Sequence, residues 1–211
     1  MNYQIKEIFY TLQGEGINAG KSAVFCRFTG CNLWSGKQKD RDSAVCNFCD
    51  TDFIGTDGTL GGKYISSVSL AQTINKLWPR KNQRNKFVVL TGGEPMLQVN
   101  SDFIEALHKF NFKVAIETNG TIRCPKNIDW ICVSPKFGSE LVQKCGDELK
   151  LIYPQGDVSP NNFLNLDFKH FLIQPMDGLR VKENIKKAVE FCQDNPEWRL
   201  SIQTHKITGI R

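Results

Sequence analysis

The stretch that decides the fold is Phe87-Val88-Val89-Leu90-Thr91-Gly92-Gly93-Glu94-Pro95, in which four consecutive apolar residues stop at a polar, glycine-rich cluster. A short apolar run without alternation is typical of a strand that is buried on both faces, as in a parallel sheet. The pattern recurs along the chain. We predict strands over residues 23–28, 87–90, 114–116, 131–133, 148–152, 171–173 and 200–202, with 23–28 as the first.

Helical patterns lie between several of these strands, over residues 69–78, 101–110 and 181–192. Alternation of strands and helices predicts an α/β fold with a mostly parallel sheet, either open or rolled into a partial barrel. A chain of 211 residues is short for a full barrel of eight strand–helix units. No repeat or linker divides it, so we expect one domain over 1–211, built as a shortened, partial (β/α) barrel.

Polar clusters follow five of the predicted strands. They are residues 91–95, 117–120, 134–136, 174–177 and 203–205. The carboxyl ends of parallel strands meet at one edge of a sheet, and α/β enzymes bind their ligands at that edge. The sequence therefore predicts a composite site there.

The composition leaves the eight cysteines unexplained, because a core of this size needs no disulfides. No apolar stretch approaches the length of a membrane span, and Glu7 interrupts any signal-peptide pattern at the start. We therefore expect a cytoplasmic protein whose thiols are reduced and serve a metal or redox site. A net charge of +5 permits nucleic acid as a partner but does not indicate it.

Three of the cysteines, Cys31, Cys46 and Cys49, form a C-x14-C-x2-C pattern after the strand at 23–28. Three thiolates leave one position open, which suits an iron–sulfur cluster better than a structural zinc site with four closed ligands. Zinc remains an alternative if Cys26 supplies the fourth ligand.

The three-cysteine loop, followed by Gly-Gly-Glu-Pro after a later strand, resembles the radical S-adenosylmethionine enzymes, although their usual spacing is C-x3-C-x2-C. Further motifs make the chain resemble one family in that group, the 7-carboxy-7-deazaguanine synthases, from about residue 4 onward. They are Leu12-Gln13-Gly14-Glu15-Gly16, Arg27, Cys49-Asp50-Thr51, Glu117-Thr118-Asn119-Gly120, Ser134-Pro135-Lys136 and Gln203-Thr204-His205.

The resemblance implies a lyase that converts 6-carboxy-5,6,7,8-tetrahydropterin to 7-carboxy-7-deazaguanine with loss of ammonia, in queuosine and deazapurine biosynthesis. It implies a [4Fe–4S] cluster on Cys31, Cys46 and Cys49 and a Mg²⁺ ion on Thr51. The catalytic group would be the 5′-deoxyadenosyl radical from S-adenosylmethionine, not a side chain. It also implies a homodimer, an electron donor such as flavodoxin or ferredoxin, and neither a membrane nor a nucleic acid as partner.

The resemblance also implies two sets of ligand-binding residues. S-adenosylmethionine would contact Phe48, Cys49, Asp50, Gly93, Glu94, Glu117, Asn119, Ser134, Pro135, Lys136, Gln174, Pro175, Met176 and Asp177. The pterin would contact Leu12, Gln13, Gly14, Glu15, Arg27, Thr91, His205 and the terminal residue Arg211. Within the second set, the Arg27 guanidinium suits the pterin carboxylate because it forms bidentate pairs with planar anions.

Two other functions compete with this one. A zinc-stabilised RNA-binding module would fit the mild positive charge, but the chain lacks aromatic RNA-binding motifs. An activase that places a glycyl radical on a partner protein would share the cofactor, but Arg27 favours a small anionic substrate.

Overall fold

The computed structural model describes residues 2–211, and its centre is one nine-stranded sheet in the order β3-β1-β2-β4-β5-β6-β7-β8-β9. The strands are β1 (Tyr3–Leu12), β2 (Ser22–Phe28), β3 (Gly62–Tyr64), β4 (Phe87–Gly92), β5 (Lys113–Thr118), β6 (Trp130–Val133), β7 (Cys145–Tyr153), β8 (Asp167–Pro175) and β9 (Trp198–Leu200). From β2 to β9 every neighbouring pair is parallel, whereas β1 is antiparallel to both β2 and β3. The predicted α/β class with mostly parallel strands is confirmed.

Four α-helices accompany the sheet: α1 (Ser67–Leu77), α2 (Ser101–His108), α3 (Val181–Asp194) and α4 (Thr204–Thr208). The first three match the predicted helices to within two residues at each end. Ser66 and Asn100 cap α1 and α2 by accepting hydrogen bonds from the backbone N–H groups of Ser69 and Phe103. Both helices pack on one face of the sheet around a core that includes Leu70, with Phe103 and the inner strands.

Four elements differ from the sequence prediction. The strand at 23–28 is not the first, because β1 precedes it and pairs with it. β1 mixes polar and apolar residues, with Ile8-Phe9-Tyr10 as its longest apolar run, and its pairing register shifts between Ile5 and Glu7. The three-residue β3 and the short α4 were not predicted. The last strand covers residues 198–200 and not 200–202, since Trp198 is the buried residue of that edge.

The sheet does not close on itself, because β3 and β9 are edge strands with one sheet neighbour each among residues 2–211. The segment 202–211, here called the strap, spans the opening. The Thr204 amide donates to the Gly14 carbonyl at 2.9 Å, and the Thr11 hydroxyl donates to the Arg211 carbonyl at 2.8 Å. This arrangement agrees with the predicted partial barrel. Within residues 2–211 no helix is both long enough and apolar enough to cross a bilayer.

Candidate active site

A chamber of about 430 Å³ opens at the carboxyl ends of the parallel strands. Its boundaries are the ends of β4 to β8, the loop 29–61 between β2 and β3, the turn between β1 and β2, and the strap. All the predicted cluster, Mg²⁺ and pterin residues line it, and so do all the predicted S-adenosylmethionine residues except Glu94 and Pro135. The sheet therefore collects motifs that are up to 199 positions apart, from Leu12 to Arg211.

The thiols of Cys31, Cys46 and Cys49 lie on one side of this chamber, here called the cysteine wall. The Cys46 thiol donates a hydrogen bond that lowers the pKa of Cys49 to about 6, whereas burial raises the pKa of Cys31. Across residues 2–211 no three Cys, His, Asp or Glu side chains are already gathered around a metal position. Three thiols on one wall, one of them acidic, nevertheless fit a cluster bound by three thiolates with one open position.

Cys26 lies on the opposite face of β2 from the chamber. It is fully buried in the core beside Val24 and Phe28, and burial strongly raises the pKa of its thiol. Its neighbour Arg27 points the other way and lines the chamber, as expected from the two-residue repeat of a strand. Cys26 is therefore ruled out as the fourth ligand of a zinc site on the cysteine wall.

Glu94 is fully buried and does not line the chamber. Its carboxylate accepts hydrogen bonds from the Met96 amide at 2.9 Å and from the Thr118 hydroxyl and the Asn119 amide, both at 2.7 Å. Burial raises the pKa of this carboxyl. Glu94 thereby ties the end of β4 to the end of β5, and its predicted contact with S-adenosylmethionine stays a prediction.

Pro135 is also buried away from the chamber, and its carbonyl accepts a hydrogen bond from Gln155 Nε2 at 3.0 Å. Its neighbours Ser134 and Lys136 do line the chamber. The Lys136 ammonium donates to the Ser134 hydroxyl at 2.6 Å, and burial lowers its pKa. The predicted tripeptide is therefore split, with its polar side chains facing the chamber and its proline holding the backbone.

Gly92 and Gly93 fit closely against the end of β2. A Cβ atom on Gly92 would lie 2.2 Å from the Phe28 carbonyl oxygen, and one on Gly93 would lie 2.0 Å from that of Gly30. Gly92 also has a φ of +138°, which L side chains rarely adopt. The two glycines let β4 end directly beside the start of the cysteine loop.

A polar network, here called the floor, lies at the inner end of the chamber and comprises Gln13, Glu15, Thr91, Glu117 and Lys150. The Lys150 ammonium pairs with Glu15 and lies 3.8 Å from Glu117 Oε1. Glu117 also accepts from Gln13 Nε2 at 2.9 Å and from the Thr91 hydroxyl at 3.2 Å. Burial is the largest single influence on Glu15 and acts to raise its pKa, but the charge and hydrogen bond of Lys150, with hydrogen bonds from Gln203 and Gln174, together lower that pKa to about 2.

Sequence reasoning missed Lys150. The signal was present, because a lysine between Leu149 and Leu151 interrupts an apolar run that was correctly predicted as a buried strand. A charged group inside such a strand is stable only when it is paired. The sequence could therefore have predicted a carboxylate partner for Lys150, at the end of a neighbouring strand or in a facing loop.

Two arginines meet one carboxylate at the outer side of the chamber, here called the mouth. Arg27 Nε donates to Glu7 Oε1 at 2.9 Å, and the Arg211 guanidinium pairs with the other Glu7 oxygen. Within residues 2–211 this is the one ion pair that Arg27 forms, which leaves its two Nη groups directed at no other protein carboxylate. Glu7 was also not predicted from the sequence.

The strap joins the two predicted ligand regions. The Lys206 ammonium bridges Asp50 and Asp177, at 2.5 and 2.6 Å, and Gln203 Nε2 donates to Glu15 Oε1 at 2.9 Å. Asp50 and Asp177 belong to the predicted S-adenosylmethionine set, and Glu15 to the predicted pterin set. The chamber is therefore enclosed on the side where the sheet is open.

Comparison with known proteins gives one consistent result. The chain is 59% identical to the 7-carboxy-7-deazaguanine synthase of Bradyrhizobium diazoefficiens over 211 residues and 55% identical to that of Burkholderia multivorans over 210, with 100% of each chain covered. It superimposes on the crystal structure of QueE from Escherichia coli with a TM-score of 0.68 and 29% identity, covering 97% of this chain and 95% of that one. No family model matches it. The chain belongs to the 7-carboxy-7-deazaguanine synthase family.

Proposed function

We propose that the chamber is where this chain converts 6-carboxy-5,6,7,8-tetrahydropterin to 7-carboxy-7-deazaguanine by radical S-adenosylmethionine chemistry. Family membership supports the reaction. The observation that supports the location is that the three thiols line the same chamber as the charged groups, among them Arg27, that suit a planar anion.

The cysteine wall would hold a [4Fe–4S] cluster through Cys31, Cys46 and Cys49. When bound, such a cluster supplies the electron that cleaves S-adenosylmethionine. The chain's own contribution is to bind and orient S-adenosylmethionine and the pterin, and to exclude water from the chamber. The ends of β5, β6 and β8 would hold the cofactor. The residues that line the chamber there, and would contact the cofactor, are Glu117, Asn119, Ser134, Lys136 and residues 174–177.

Arg27 would bind the substrate carboxylate. Glu7 holds its Nε, so the two Nη groups can make the bidentate contact that planar carboxylates favour. Thr51, which lines the chamber, would bind Mg²⁺ through one oxygen, since this ion keeps several waters and shares ligands with its substrate. The floor offers carboxylate and amide acceptors to the N–H groups of the pterin ring.

The test is to purify the chain without oxygen and to supply 6-carboxytetrahydropterin, S-adenosylmethionine, Mg²⁺ and a reductant. We expect a brown protein with broad absorbance at roughly 400 nm, as for a thiolate-bound cluster. The product should have the mass of 7-carboxy-7-deazaguanine. Colourless protein with one tightly bound zinc would refute the proposal, and so would a coloured protein that leaves the pterin unchanged.

We propose further that the active form is a cytoplasmic homodimer reduced by a one-electron donor such as flavodoxin or ferredoxin, with no membrane or nucleic acid partner. All eight cysteines are free thiols, which suits a reducing compartment. Light scattering of the anaerobic protein would measure the subunit number. Turnover with reduced flavodoxin or ferredoxin, compared with a chemical reductant, would test the donor.

A further inference from the structure

Lys150 is a charged residue at a buried position inside the parallel sheet. It lies in the middle of β7, its side chain is 5% exposed, and the strands on either side of β7 are both parallel to it. A lone ammonium in such a place would be costly to bury, so its stability depends on its partners.

Those partners come from two separate parts of the chamber. Glu15 lies in the turn between β1 and β2, on the side predicted to recognise the pterin, and Glu117 lies at the end of β5, on the side predicted to hold the cofactor. The other side-chain donors to the two carboxylates are neutral amides and a hydroxyl, from Gln203, Gln174, Gln13 and Thr91. Without Lys150, two neighbouring carboxylates would face the chamber with no cation paired to either.

We propose that Lys150 is a positioning residue that holds Glu15 as an ionised acceptor for the amino and N–H edge of the pterin ring and ties it to Glu117 on the cofactor side. This inference rests on the proposed function and adds the means by which the floor selects its substrate. The pterin ring carries an exocyclic amine and a ring N–H on one edge, and both donate hydrogen bonds. A carboxylate accepts such bonds about twice as strongly as a neutral group, and a protonated carboxyl loses that advantage.

The inference predicts a specific pH dependence. The charged or titratable groups that surround Lys150 are Glu15, Glu117, Glu148, Cys132 and, with positive charge, Lys136. In the native chain the pKa of Glu15 is about 2, so this carboxyl stays ionised at every working pH. If the Lys150 ammonium is removed, burial is no longer outweighed. The pKa of Glu15 then rises, and protons compete with the pterin as the pH falls.

The experiment compares wild type and Lys150→Met as anaerobically purified holoenzymes. The probe is oxidised 6-carboxypterin, which carries the same amino edge, and binding is followed by pterin fluorescence at about pH 7.5 and about pH 5.5. The ratio of the variant's Kd to that of wild type should grow by up to about tenfold between these pH values, which is the factor expected when the variant's Glu15 pKa lies about one unit above the lower pH. Lys144→Met, which removes an exposed lysine just before β7, is the control and should leave the ratio unchanged.

Because removing one partner of a buried ion pair can destabilise the fold, Lys150→Gln is the second variant. Its amide keeps a donor near Glu15 without the charge, and it should show the same trend. If both variants bind the probe with the pH dependence of wild type, the inference is overturned while the proposed function stands. If wild type itself neither binds the probe nor forms product, the proposed function has failed as well.

Discussion

The cysteine wall and the floor serve the same chamber but are built in different ways. The cysteine wall comes from the loop 29–61, where a three-residue 3-10 helix is the one regular element, and two of its thiols are only three positions apart. The floor takes its side chains from β1–β2, β4, β5 and β7, and its central ion pair joins residues 135 positions apart. The wall is therefore a local motif, whereas the floor exists only in the folded sheet.

Because the wall is local and the floor is built from several strands, substitutions in the two regions should affect activity and stability differently. The thiols of the wall make few bonds to the rest of the fold: Cys46 bonds to Cys49 within the wall, and Cys31 and Cys49 make long contacts of 3.4 and 4.0 Å to the backbone of Leu33 and Thr51. In the floor, by contrast, Glu117 is linked to Gln13, Thr91 and Lys150, which are all buried. Substitutions in the cysteine wall should abolish activity without unfolding the protein. Substitutions in the floor or the mouth should weaken substrate binding by amounts that differ from residue to residue.

The largest effect should come from Cys49→Ala. Loss of one of three thiolates should abolish both the colour and the turnover, because a cluster with an open position has no spare protein ligand. The free energy of unfolding should change by less than about 1 kcal/mol, as is usual outside a core. Absorbance, iron content and product mass measure the first effect, and thermal unfolding the second. Cys145→Ala, at the far end of β7, is the matched control, and turnover retained by Cys49→Ala would refute the cluster assignment.

Arg27→Ala should have the next largest effect. Loss of charged hydrogen bonds to the substrate carboxylate should weaken pterin binding by about a hundredfold, while iron content stays at the wild-type level. Arg199→Ala, an exposed arginine on the edge strand β9, is the control. A fall in iron content would instead show that Arg27 supports the cysteine loop.

Glu7→Gln tests whether the charge of Glu7 positions Arg27 at the mouth, as the Lys150 charge positions Glu15 in the floor. The amide keeps the shape of the side chain and one acceptor for Arg27 Nε but loses the charge that pairs with both arginines. We expect KM for the pterin to rise by about tenfold with little change in kcat, since the loss falls on substrate binding. A drop in kcat with unchanged KM would show that Glu7 acts on the chemical step.

Arg211→Ala should have the smallest effect. Its ion pair with Glu7 is half exposed on the arginine side, and exposed pairs contribute about 0–1 kcal/mol. A two- to fivefold rise in KM for the pterin is the corresponding range, about 0.4–1 kcal/mol. Steady-state kinetics at low and high salt measure it, and a larger, salt-insensitive loss would mean that Arg211 contacts the substrate directly.

The motifs of the wall could be predicted from the sequence because their spacing is local, and apolar runs located β4 to β8. The prediction was less successful where an element depends on distant partners. β1 has an irregular burial pattern and is recognisable only through its pairing with β2 and β3. Glu7 and Lys150 gain their roles from residues 20 and 135 positions away, and Glu94 is withdrawn from the chamber by donors at the end of β5. No spacing rule within one segment shows these relations.

The strap has a consequence for the order in which the site is made. Residues 202–211 follow all nine strands in the chain, so the ribosome releases them only after the whole sheet has been synthesised. The nascent chain thus has its sheet edge and its cysteine loop before it has the last side of the chamber. Because Lys206 and Arg211 fasten that side through partly exposed ion pairs, it is also the side that costs least to open. Loading with cluster and cofactor can therefore precede enclosure without any strand leaving the sheet.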